Sequence, residues 1–126
     1  MKSILIAFFV GVFLTALAYN VKAAEFNEAW HVEKWCAEQG GVTEYVLPDK
    51  TRVDCLTDTH AIEFDWGKKW AEGIGQALYY SYMTNKKAGV VLIVEPGAEQ
   101  RYIDRLNTVA NHLCLDVWLM DNENYK

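Results

Sequence analysis

Residues Gly89 to Glu95 read GVVLIVE, an apolar run with no polar alternation, and Pro96-Gly97 stops it at once. A strand that shows water neither face must be covered on both. The chain therefore has to place helices on the two sides of a sheet and bury this strand near the middle. A helix pattern lies on either side of the run. Trp66 to Met83 reads as one long helix. Glu99 to Leu113 reads as an amphipathic one, with Ile103, Leu106, Val109, Ala110 and Leu113 on one side. Leu115 to Met120 is then a last strand, and a β-α-β crossover of this kind is right-handed.

Upstream the pattern is that of a meander. Asn27 to Glu38 is helical, with Trp30, Val32, Trp35 and Cys36 as its apolar stripe and Gly40-Gly41 as its stop. Val42 to Leu47 and Thr51 to Leu56 form a hairpin around Pro48-Asp49-Lys50. Thr57-Asp58-Thr59 turns into a third strand, His60 to Asp65. The order is αβββαβαβ, an α/β (α+β) chain with a mixed central sheet flanked by helices. No repeat or linker divides it, so residues 24–126 form one domain, with a frayed tail from Asp121 to Lys126. Trp66 and Trp70, four apart, read as core, as do Trp30, Trp35 and Trp118.

The first residues carry an address. Met1-Lys2 is a basic start, Ile4 to Ala18 is almost wholly apolar, and Val21-Lys22-Ala23 supplies small residues for cleavage. This is the layout of a secretory signal peptide over residues 1–23. The alternative is an uncleaved anchor, but the run is shorter than the ~20 residues a spanning helix requires. Export, to the periplasm or outside the cell, is the expectation, with no stable membrane association after cleavage. Lys2 and Lys22 are the leader's only charges, so its loss takes the formal net charge from −5 to −7. That acidity disfavours a broad nonspecific nucleic-acid surface, which needs clustered Lys and Arg.

Three cysteines enter an oxidising compartment: Cys36, Cys55 and Cys114. Any of three pairings leaves one thiol over. Cys36–Cys55 is the favoured bridge, with Cys114 buried at a helix end, and three reduced buried thiols are the alternative. Cys55 points away from Asp54, so a bridge there braces that strand from behind. The cysteine spacing fits no zinc motif. Neither does that of His31, His60 and His112, which read as structural.

Carboxylates carry the chemical signal. Asp54 lies on the second strand, while Glu63 and Asp65, two apart on the third, share a face. Acids gathered from neighbouring strands are how proteins build a site for Mg²⁺ or Mn²⁺. Two carboxylates on one strand face repel unless a cation compensates. On the helix that follows, Lys69, Gly73, Gln76 and Tyr80 fall at helical spacing along one side, and Gly73 leaves open space.

This constellation resembles the PD-(D/E)XK nucleases, a superfamily that includes archaeal Holliday-junction resolvases and RecB-type enzymes. The likeness spans residues of about 28 to 95. It implies a restriction-endonuclease-like αβββαβ core. Asp54 matches the first acid, with Val53 where the family's proline stands, and Glu63 matches the second. Gln76 with Tyr79 or Tyr80 matches the RecB-type helix motif, and Glu33 the first-helix glutamate. The motif lysine is absent, since Asp65 holds its place. Lysines moved onto the next helix occur in the family, which makes Lys69 the candidate replacement. The competing reading is that Lys69 only pairs with Asp65.

The resemblance implies phosphodiester hydrolysis. Asp54, Glu63 and Asp65 would hold the cation, Lys69 would contact the phosphate or nucleophile, and Gln76 and Tyr80 would orient ligands. The substrate would be a nucleic acid, and small relatives of this kind commonly form homodimers. The alternative is a catalytically inactive nuclease-fold domain that acts as a periplasmic or secreted binding protein with a protein partner. The tyrosines Tyr79, Tyr80 and Tyr82 also have a plain reading as packing and helix-surface aromatics.

Overall fold

Asn27 opens the first helix by capping it: its side-chain oxygen accepts the Trp30 N–H at 3.0 Å. A computed structural model describes residues 27–122 apart from Pro96 and Ala98. The proposed leader, the cleavage site and residues 123–126 of the tail lie outside the described residues. Helix α1 is Glu28–Glu38. Strands β1 (Val42–Val46), β2 (Arg52–Leu56) and β3 (His60–Trp66) follow. A 3₁₀ turn, Gly67–Lys69, leads into helix α2 (Trp70–Thr84). Strand β4 (Lys87–Val94), helix α3 (Gln100–Leu113) and strand β5 (Asp116–Asp121) complete the described chain.

The strands form one mixed sheet in the order β1-β2-β3-β4-β5. β1, β2 and β3 run antiparallel as a meander. β3, β4 and β5 are parallel, in continuous register from His60↔Lys87 to Trp66↔Ile93 and from Gly89↔Asp116 to Val94↔Asp121. A buried β4 is what its apolar run requires. Val90, Leu92 and Val94 pack under α2 and α3 with Ile74, Ala77, Leu106 and Ala110, while Val91 and Ile93 pack under α1 with Val32, Ile62 and Phe64. Helices therefore cover both faces, and the chain is mixed α/β with three described helices and five strands.

The Cys36–Cys55 bridge is present and closes 19 residues of sequence separation. It ties α1 to β2 within the α1-side core. Gly41 is obligatory beside it, because a Cβ there would stand 2.7 Å from each sulfur. No described helix is long and apolar enough to cross a membrane.

Several expectations need correction. Cys114 is not buried. It is an exposed free thiol at the αL cap of α3, with φ of 50°. The long helix begins at Trp70 rather than Trp66, because Gly67–Lys69 winds as 3₁₀. Trp66 and Trp70 consequently do not share a core: Trp66 packs with the α1 side and Trp70 with the α2 and α3 side. Trp30, Trp35 and Trp118 are half-buried rather than enclosed.

Candidate functional site

The β2–β3 ladder holds for only two pairs, Cys55↔Ile62 and Leu56↔Ala61, and then parts. Carboxylates take over where backbone pairing ends. The Asp54 N–H donates to Glu63 Oε1 at 3.2 Å, and the Phe64 N–H donates to Asp54 Oδ2 at 2.8 Å. β2 is irregular at the same point. Val53 packs with Leu47, Ala61 and Tyr80, yet Cys55, two residues on, packs with the opposite core. In a regular strand they would share a face. On β1, Glu44 sits at φ of 53°, and the register skips the Glu44–Asp54 pair. A local kink thus turns Asp54 toward β3.

β3 alternates strictly. Ile62 and Phe64 enter the α1-side core, whereas Ala61 packs beneath α2 against Tyr80. Glu63 and Asp65 follow Ala61's alternation and are buried at 3% and 5% exposure. Space for Asp65 comes from α2: a Cβ on Gly73 would stand 3.0 Å from Asp65 Oδ2. That oxygen is buried and has no hydrogen-bond partner.

Burial dominates the electrostatics. Desolvation, then the charge of Asp54, pushes the Glu63 carboxyl up to about 9. Desolvation, then the charges of Glu28 and Glu72, pushes Asp65 up to about 7, with Lys69 opposing. Asp54 is also raised by burial, against the pull of the Phe64 N–H. Burial and then the Asp54 charge raise Glu28. Tyr80 is raised by burial first and by the Glu63 charge second. Each of these acids is shifted toward its protonated form, with burial the first cause.

The structure brings Asp54, Glu63 and Asp65 into this region, with Tyr80 buried close enough to feel Glu63 and Asp54. Gln76 is half-buried on the same helix. Lys69 is exposed and lies in the 3₁₀ turn at the mouth of α2, not within the helix. Its charge reaches Asp65 and Glu28, but among the described residues it forms no ion pair with Asp65. Glu33 is not part of the site: it is exposed and lines a shallow hollow with Ala29, Val32, Thr43 and Glu44. The first-helix acid that reaches Asp54 is Glu28. Tyr79 turns outward and donates its hydroxyl to Asp49. Glu28 and Glu72 escaped the sequence reading. The Asn27 cap, which makes Glu28 the first helical residue, was the available signal for one, and the Lys69–Glu72 spacing of three for the other.

The donors are all carboxylate oxygens, the chemistry that suits a hard divalent cation, and Asp65 Oδ2 is buried without a hydrogen-bond partner. As placed, however, Asp54 and Glu63 are committed to backbone N–H groups. Among the described residues no group of three or more His, Cys, Asp or Glu side chains is arranged to hold a metal ion. The donor set fits such an ion in its chemistry; the arrangement seen does not gather three of the groups around one point. In comparisons with known proteins, no family model, no curated protein and no solved structure matches the chain.

Proposed function

We propose that the protein is an exported, divalent-cation-dependent phosphodiester hydrolase with a restriction-endonuclease-like core. The supporting observation is the buried, unpartnered Asp65 Oδ2 beside the Asp54–Glu63 pair. An oxygen stripped of water without a donor is costly, and a cation or a proton relieves that cost. Asp54, Glu63 and Asp65 would hold Mg²⁺ or Mn²⁺. The bound ion would lower the pKa of a water and neutralise charge on the phosphoryl group. The chain's own contribution is positional. Lys69, exposed at the mouth of α2, would meet the phosphate as a point charge. Tyr80, buried within reach of the Glu63 charge, and Gln76 would fix the orientation of ligands. The acids must give up their protons to bind the ion, so affinity should rise with pH across the range in which Asp65 and Glu63 titrate. The leader-like first 23 residues and the Cys36–Cys55 bridge support export.

A second reading has its own support. The motif lysine is replaced by Asp65, and no three described side chains are grouped for a metal. On that reading the domain keeps a nuclease-like scaffold without its chemistry and serves as a periplasmic or secreted binding protein.

Titration calorimetry with Mn²⁺ and Mg²⁺ separates the two. The purified exported protein is run beside Asp54→Ala and Glu63→Ala. Binding that both variants lose supports the cation site and leads to a nuclease assay on DNA and RNA that includes Lys69→Ala. Absence of binding by the wild type at pH 8 rejects the hydrolase.

A further inference from the structure

On the opposite side of the sheet from Glu63 and Asp65, beside α1, lies a groove of about 310 Å³. Its apolar walls are the indoles of Trp35 and Trp118. Its polar end is the turn before β3, with Asp58, Thr59 and His60. Trp118 is accommodated by Gly89, where a Cβ would stand 2.6 Å from the ring. The two indoles meet edge-on at 5.5 Å, and His60 meets Trp118 edge-on at 5.3 Å. Edge contacts of this kind do not consume both faces of a ring.

The turn is fixed by its own hydrogen bonds. Thr57 Oγ1 accepts the N–H groups of both Thr59 and His60. His60 Nε2 lies 2.7 Å from Asp116 Oδ2, and His60 Nδ1 lies 2.8 Å from Thr59 Oγ1. A carboxylate only accepts, so the bond to Asp116 places the ring proton on Nε2. The Asp58 carboxylate presents only acceptors. Among the described residues no cation lies within ion-pair distance of its carboxylate, since Lys86 Nζ donates to the Asp58 backbone carbonyl at 2.7 Å instead.

Two indoles and a carboxylate without an ion-pair partner, beside the Thr59 hydroxyl and on a chain of net charge −5, suit an organic cation. We propose that this groove binds an organic cation, a guanidinium or alkylammonium group, seated against Trp35 and Trp118 and held by Asp58 and Thr59. The cation has two sources: a basic side chain of another polypeptide, or a free polyamine. The site is independent of the carboxylates on the other face.

The test is NMR titration of the ¹⁵N-labelled exported protein with spermidine, with a short arginine-containing peptide and with cellobiose as a neutral, hydroxyl-rich control. The expected result is saturable shifts of the Trp35 and Trp118 indole N–H signals by the cations. Asp58→Asn should weaken that binding by about fivefold, the scale of one exposed ion pair, and Thr59→Val should weaken it as well. Both substitutions are at exposed positions and leave the core intact. Tighter binding of the peptide identifies a protein source, and tighter binding of spermidine a free amine. The proposal is overturned if neither cation moves the two indoles. It is also overturned if cellobiose moves them equally, or if Asp58→Asn leaves the cation titration unchanged.

Discussion

Replacing Glu63 by Gln should remove most of the protein's loss of stability at alkaline pH. Glu63 lies in the middle of β3 at 3% exposure, with Oε1 on the Asp54 N–H. Its carboxyl is pushed up to about 9 by burial and by the Asp54 charge, whereas the unfolded chain ionises at the ordinary value of 4.5. Between those values the folded state binds one proton more than the unfolded state. Stability from this group is therefore fully present below pH 4.5 and is lost as pH rises through 9. The slope is about 1.4 kcal/mol per pH unit for one proton. Asp65, pushed up to about 7, contributes the same sign but has titrated for the most part by pH 8, so most of the change between pH 7 and 8.5 belongs to Glu63. Across it the wild type should lose about 2 kcal/mol, or roughly 8–16 °C in Tm for a domain of this size. Glu63→Gln keeps an acceptor for the Asp54 N–H and cannot ionise, so its curve should be nearly flat. Urea denaturation followed by circular dichroism, without divalent ions, measures both. Parallel pH slopes for the two proteins would refute the claim that Glu63 carries a proton in the fold.

Other perturbations are equally direct. Replacing Cys36 and Cys55 by Ala should cost about 3 kcal/mol on the loop-entropy account of a 19-residue separation, and urea midpoints of the oxidised wild type and the double variant test it. Gly41→Ala, whose Cβ would strike both sulfurs at 2.7 Å, should cost about 1–3 kcal/mol by overpacking; an unchanged midpoint contradicts the close packing at the bridge. Gly73→Ala places a Cβ 3.0 Å from Asp65 Oδ2. Helix propensity returns about 1 kcal/mol, so urea should show little change in stability while calorimetry shows weaker Mn²⁺ binding. Cys114→Gly relieves an αL residue and should raise stability by about 0.5–1 kcal/mol, read from the urea midpoint.

The proposed site was partly legible because its acids sit on strands whose boundaries the sequence marks well. The pattern marks a strand from His60 to Asp65 where β3 spans His60–Trp66, and its alternation puts Glu63 and Asp65, both buried, on one face. What alternation cannot foresee is the kink at Asp54. There the ladder parts, and side chains two apart enter opposite cores. Lys69 was misplaced for a local reason: 3₁₀ and α spacing differ too little over three residues for a sequence pattern to separate them.

Local chemistry written in the sequence determined a buried β4 and helices on both faces of the sheet. Apolar runs and turn residues act through neighbours and carry this information directly. Tertiary structure alone decided the rest. It brought Glu28 rather than Glu33 within electrostatic reach of Asp54, left one Asp65 oxygen without a donor, and aligned Thr59, His60 and Asp116 across 56 residues of separation between the last two. The physical reason is that protonation, desolvation and hydrogen-bond completion depend on what surrounds a group in space. Those surroundings exist only once the sheet has closed between its helices.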